Sequence, residues 1–139
     1  MLNVLSPMKS LKLLSGCNRY NMAMKIGTDI VQINRIERSL SHFGDKFKQR
    51  FLSPQEIELV QKTASIAGFW AAKEAISKAL GCGIGSELSF HDILITKNSR
   101  GAPAFTLSEE AQKIHQIKAS SLSISHDGGF AIAVSVIHQ

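Results

Sequence analysis

The sequence predicts an α+β fold: a single small domain in which an antiparallel sheet packs against one long helix, with shorter helices around it. Three features point that way. Residues 25–33 and 122–137 are rich in β-branched and small residues in strand-like alternation, residues 65–80 are mostly strong helix formers, and nothing between 24 and 139 reads as a linker or a repeat. A chain of 139 residues is long enough to bury one core and short for two.

The elements follow in order. KIGTDIVQI, residues 25–33, alternates well enough for a strand with Gly27, Asp29, Val31 and Ile33 facing one way. Asn34, with Glu37 three residues on, has the form of a reciprocal capping box, so a helix is expected to start there. Ser53-Pro54-Gln55-Glu56 repeats the device with proline at the first helical position. The long helix, 65–80, ends where Gly81 and Gly83 offer a left-handed backbone. Strands are expected at 88–96 and 104–107, with the turn Asn98-Ser99-Arg100-Gly101 between them, and Ser108 caps a short helix through Lys118. Residues 122–126 then turn at Asp127-Gly128-Gly129 into 130–137, where Phe130, Ile132, Val134 and Val136 share a face opposite Ala131, Ala133 and Ser135. Both faces are nonpolar or small, so this sheet is expected to be covered on both sides, by helices or by a neighbouring subunit.

Composition narrows the function. No apolar run approaches the roughly 18 residues of a membrane span. Cys17 and Cys82 are too few and too far apart for a disulfide framework or a thiolate metal cage, and read as free thiols in a reducing, cytoplasmic setting. The net charge is +5, but Lys9, Lys12 and Arg19 lie in an acid-free first 23 residues, so the remainder is only mildly basic. A nucleic-acid module would need clustered bases with stacking aromatics; the chain has one Trp, one Tyr and acids dispersed among its bases. Neither nucleic acid nor membrane is therefore expected as a partner. Charged residues make up 19% of the chain, fewer than usual, as if another copy covered part of the surface. Residues 1–23 read as an extension, disordered or translated from an upstream start, or as a basic targeting leader.

Several side chains could carry chemistry. Asp29 sits in a strand among residues expected to be buried, where a carboxylate needs a cation or hydrogen-bond donors; a structural role and a metal-binding one are both open. Glu74 and Lys78 have the spacing of an ordinary surface pair, yet Phe69, Trp70, Ala71, Ala72, Ala75, Ile76, Ala79 and Leu80 make their helix apolar around most of its circumference. Lys73, Glu74, Ser77 and Lys78 then project from a largely buried element, where charges more often have work to do. Ser125-His126-Asp127 is no relay, because consecutive strand residues point to opposite faces; His126 remains open as a phosphate contact or as a structural histidine. Gly81-Cys82-Gly83-Ile84-Gly85 follows a helix instead of joining a strand to one, so it is no dinucleotide fingerprint. Arg35, Arg38 and His42, followed by Lys46, Lys48 and Arg50, make one basic face, either solvated or a dock for an acidic helix.

The opening IGTDIVQINRI, the helix GFWAAKEAISKALG and the closing SISHD, in this order and spacing, resemble the small single-domain 4′-phosphopantetheinyl transferases that act on acyl carrier protein. The likeness spans residues 24–139 and implies their fold and reaction. A serine hydroxyl of apo-acyl carrier protein attacks the pyrophosphate of coenzyme A, phosphopantetheine is transferred, and 3′,5′-ADP is released, activating the carrier for fatty acid biosynthesis. It implies Mg²⁺ held by Asp29 and Glu74, and Lys78 offsetting phosphate charge, with Glu74 or a metal-bound water on Asp29 as base. Ser77, Lys78, Gly81, Gly83, Pro103 and His126 are implied along coenzyme A. Arg35, Lys46 and Arg50 are implied at the acidic recognition helix of the carrier, and the assembly is implied to be a homotrimer with active sites between subunits. Two positions depart from the family pattern: Phe69, where many members have Arg, and Cys82, where Thr is usual.

Overall fold

The structure is a computed structural model that describes residues 23–139; the readings made for the N-terminal extension lie outside the described residues, apart from Ala23 at its end. Among the described residues five strands and five α-helices follow in the order β1 (Met24–Gln32), α1 (Ile33–Phe43), α2 (Asp45–Phe51), α3 (Pro54–Leu59), α4 (Thr63–Leu80), β2 (Ile93–Lys97), β3 (Pro103–Leu107), α5 (Glu109–His115), β4 (Ala119–Asp127) and β5 (Phe130–His138). The strands form two antiparallel sheets, not one: a three-stranded sheet ordered β1-β5-β4 and a separate ribbon of β2 and β3.

Local hydrogen bonding explains where element bounds differ from expectation. Helix α1 begins at Ile33, and Asn34 caps nothing, because the Ile33 amide donates to the Gly129 carbonyl at 2.9 Å and the hairpin turn itself fixes the helix entry. The capping box at Ser53 does form, with Ser53 and Glu56 exchanging backbone and side-chain bonds. A similar exchange between Ser89 and Asp92 closes a 3₁₀ turn, so β2 starts only at Ile93. Helix α5 stops at His115, short of Lys118, because Gln116 turns left-handed with φ 49° and the chain enters β4.

Helix α4 is the centre of the fold. The sheet's inner face presents small groups to it: Gly27 and Val31 of β1, with Ala131, Ala133 and Ser135 of β5, are all buried. At Gly27 the contact is backbone to backbone, since a β-carbon there would collide with the Ala75 carbonyl and the Ala79 amide. Gly68 of α4 likewise leaves room for Ile124 of β4. The helix therefore crosses the sheet obliquely, its first half against β4 and its second against β1. The outer face carries the larger apolar groups instead: Met24, Ile26 and Ile30 are 61–66% exposed, with Phe130 and Ile132 beside them. Contrary to expectation, the neighbours of Asp29 are not all buried: Val31 is, Ile33 is half-buried, and Ile30 points to solvent.

On its other side α4 is held by ions and rings. Lys73 does not project outward: it and Glu56 are both fully buried, 2.9 Å apart. Glu56 also accepts from the amides of Ser53 and Ile95, while Lys73 donates to the Phe90 carbonyl. Burial pulls the Lys73 ammonium below its ordinary value, and the carboxylate of Glu56 opposes that. Next to the pair, Trp70 packs among Phe47, Phe51 and Phe90, which seats α2 on α4.

A buried pair is costly to break on one side and cheaper to replace whole. Glu56→Ala or Lys73→Ala should each lose about 3–5 kcal/mol in urea unfolding, since each strands a buried charge. The double variant Glu56→Leu/Lys73→Met should lose less than either single one; an additive loss would mean that the two groups act independently.

Candidate active site

Because Gly27 lets β1 lie on α4, Asp29, two residues on and on the same face, meets the second half of that helix. There its carboxylate accepts a 2.8 Å bond from Lys78 Nζ, which also donates to the Thr28 carbonyl at 3.1 Å. Lys78 therefore pairs with Asp29, not with Glu74 one turn back. Glu74 is half-buried, and burial raises its carboxyl above the ordinary carboxylate range. The Asp29 carboxylate pushes it up further, while Lys78 and Arg35 pull it down. Two carboxylates and two cations from β1, α1 and α4 thus converge on one spot, far apart in sequence.

Ser77 lies beneath this cluster, fully buried, its hydroxyl donating to the Glu74 carbonyl at 2.7 Å. It turns back onto its own helix in the manner of helical serines. Beyond it, Gly81 ends α4 with φ 81° and Gly83 follows with φ 67°, as expected of the glycine turn; both amides bond into the last turn of the helix. Burial raises the Cys82 thiol between them and Glu87 adds to the effect, so it is no activated nucleophile.

A second feature flanks the first half of α4. A cavity of about 170 Å³ is lined by Ser65, Phe69, Lys97, Pro103, Ile124 and His126, among others. Asn98 braces its rim, its side-chain oxygen accepting from the amides of Arg100 and Ala102. His126 is exposed at the end of β4, and Pro103 opens β3. Two of the expected cofactor residues, from separate sheets, thereby share one pocket.

Residues 25–135 match the sequence model of the 4′-phosphopantetheinyl transferase superfamily. The chain belongs to that superfamily. A holo-[acyl-carrier-protein] synthase of Sulfurovum sp. strain NBC37-1 is 63% identical over 114 residues, which are 82% of this chain and 96% of the relative. The crystal structure of the Helicobacter pylori holo-[acyl-carrier-protein] synthase in complex with coenzyme A superposes with a TM-score of 0.79 at 57% identity, covering 81% of this chain and 98% of that one. A Bacillus anthracis holo-(acyl-carrier-protein) synthase in complex with CoA (3′,5′-ADP) gives 0.71 at 40% identity, over 84% and 99%.

Within this transferase fold the expected residues fall into three places. Asp29, Glu74 and Lys78 form the charged cluster; Pro103 and His126 line the cavity; Gly81 and Gly83 make the turn after α4. Arg35, Lys46 and Arg50 are exposed on α1 and α2, and Arg35 is near enough to Glu74 to depress its titration, which links the basic face to the carboxylates. Sequence reasoning passed over Lys97. Its ammonium lies 5.4 Å from the centre of the Phe69 ring and lines the same cavity as His126, so a cation stands where the departure at Phe69 removes one. The only signal in the letters was its place at the end of a strand, before the Asn98 turn.

Glu74 makes the site pH-dependent in a definite direction. Its carboxyl is raised in the folded chain, so stability is fully present below the ordinary carboxylate range and is lost as pH rises through the raised value. Without divalent cations, Glu74→Gln should raise the melting temperature at neutral pH and flatten its fall between acid and neutral pH. Thermal melts in chelator across that range check this; an unchanged pH profile would remove Glu74 from the account.

Proposed function

We propose that this chain transfers 4′-phosphopantetheine from coenzyme A to a serine hydroxyl of an apo-acyl carrier protein, releases 3′,5′-ADP, and serves fatty acid biosynthesis in the cytoplasm with Mg²⁺ as its metal. The observation that carries the reading is the convergence of Asp29, Glu74 and Lys78 where β1 meets α4. Asp29 and Glu74 fit the ion: both are hard oxygen donors, near enough for one to raise the other, and two carboxylates leave positions for water and phosphate. A bound Mg²⁺ supplies charge neutralisation on the pyrophosphate oxygens.

The protein's own groups do the rest. The reaction is an in-line displacement: the serine oxygen bonds to the phosphorus bearing pantetheine, and the bond to the 3′,5′-ADP oxygen breaks. Lys78, held by Asp29 and by the Thr28 carbonyl, keeps a positive charge beside that phosphorus. Glu74, or a water held beside Asp29, would take the serine proton. Ser77 sets the turn that carries Glu74 instead of reaching the ligand. Gly81 and Gly83 offer coenzyme A a backbone path, and Pro103, His126 and Lys97 hold its nucleotide end in the cavity. Arg35, Lys46 and Arg50 receive the acidic helix of the carrier. No helix among the described residues is long and apolar enough to cross a membrane.

The cluster and the cavity flank opposite halves of α4. Asp29 faces Ala133 and His126 faces Ala131 across β5, which puts their Cα atoms about 12 Å apart by ordinary strand spacing. The apolar outer face of the sheet supports association with another copy of the chain as its occupant, and a homotrimer with active sites between subunits is the assembly the family resemblance implies.

Incubation with apo-carrier, coenzyme A and Mg²⁺ should add one phosphopantetheine mass to the carrier; no gain overturns the reading. Asp29→Ala and Glu74→Ala should each cut turnover about 100-fold or more while the fold persists, since charge stabilisation by a metal is worth several kcal/mol. Light scattering of the purified chain should give three times the chain mass, and Ile26→Lys or Ile132→Lys should lower it to one. A monomeric native chain would remove the trimer without touching the chemistry.

A further inference from the structure

The side chains of Cys82, Glu87 and His115 each bring a metal-binding atom within 4.8 Å of the others, where the turn after α4 meets the end of α5. None belongs to the charged cluster or to the cavity. His115 is only 6% exposed, and its Nε2 is enclosed without a hydrogen-bond partner. The nearest acceptor is Glu87 Oε1 at 3.6 Å, beyond hydrogen-bonding reach. An imidazole nitrogen buried without a partner costs free energy, so its direction calls for an occupant. Cys82 Sγ faces the same space and otherwise meets only the Ser77 carbonyl, at 3.9 Å.

We propose that Cys82 Sγ, Glu87 and His115 Nε2 bind a zinc-class divalent cation, with a water completing a tetrahedral site. Thiolate, imidazole and carboxylate together select zinc-like ions and suit Mg²⁺ poorly, so this site and the Asp29–Glu74 pair take different metals. In a tetrahedral zinc site such ligand atoms stand about 3.3–3.6 Å apart, so Glu87 and His115 already meet the requirement. The thiol has to close by no more than about 1.2 Å, which the glycines on either side of Cys82 and the exposed Glu87 side chain allow. Binding displaces one proton from the thiol. With thiolate and carboxylate as ligands the site is then neutral, which suits its half-buried place. The ion would tie the end of α4 to the end of α5, two elements otherwise joined through a loop and the β2–β3 ribbon.

Co²⁺ is the probe, because its absorption reports thiolate ligation and tetrahedral geometry directly. The full chain, stripped by chelator, should take up one equivalent of Co²⁺ with a thiolate charge-transfer band and intense visible bands, and equimolar Zn²⁺ should erase both while excess Mg²⁺ leaves them. Cys82→Ser, which keeps Cys17, should abolish the thiolate band. Glu87→Gln, at a 54% exposed side chain that the fold does not need, should weaken Co²⁺ binding by more than the roughly 10–100-fold typical of outer-sphere changes. No band at one equivalent overturns the proposal. So does a band that survives Cys82→Ser, which would belong to Cys17, or unaltered affinity in Glu87→Gln.

Discussion

Everything at the charged cluster depends on one steric constraint: β1 lies directly on the backbone of α4. A strand and a helix ordinarily keep a layer of side chains between them, and at Gly27 that layer is missing. The consequence runs along the strand with its period of two. Asp29 comes down beside the helix at the level of Glu74 and Lys78, and Val31 enters the core. Any β-carbon at position 27 would lift the strand and open the 2.8 Å contact between Asp29 and Lys78. The glycine and the aspartate of G-x-D are therefore one device, the first making the approach that the second uses.

A helix approached so closely on one side needs fixing on the other. Glu56 does this by accepting from three elements at once: the cap of α3, the Ile95 amide of β2 and the ammonium of Lys73. A carboxylate with that many donors is satisfied even without water, and Lys73 in turn is satisfied by Glu56 and the Phe90 carbonyl. The pair specifies the rotation of α4 about its own axis. Glu74, the next residue, is then turned toward β1. Structural and chemical charges thus alternate along the same helix, Lys73 locking it and Glu74 facing the site.

This division was only partly legible in the letters. The strand with Asp29, the long helix, the Ser53 capping box and the closing hairpin could be read because each is a local pattern. The sense of the hairpin was harder: its alternation was visible, but β5 turns its smaller residues inward while β4 turns its larger ones, because α4 itself is lined with alanine and comes closer to β5. The spacing of Lys73, Glu74, Ser77 and Lys78 gave no hint that Lys73 is sealed inside while Lys78 reaches back to Asp29. Glu56 looked like a capping residue and is one, yet its second oxygen serves β2, 39 residues on. Long-range pairings of this kind have no periodicity to betray them. The same holds for Lys97, whose place over Phe69 depends on how the β2–β3 ribbon meets α4.

The oblique path of α4 across the sheet joins these observations. Gly68 admits β4 at one end and Gly27 admits β1 at the other, so one helix has a cavity at its first half and a carboxylate pair at its second, with β5 between the strands that serve them. Cations mark both ends, Lys97 above Phe69 and Lys78 above Asp29. The two cations differ in setting: Lys97 stands over an aromatic ring, while Lys78 stands among the carboxylates of Asp29 and Glu74. The outer face of β1 and β5 stays apolar, with serines beside it on β4, while the inner face is spent on α4. A second copy laid on that face would cover what the fold alone leaves exposed. The close approach of α4 thus rests on the small residues of β1 and β5, Gly27, Ala131, Ala133 and Ser135, while β4 turns Leu122 and Ile124 inward beside them.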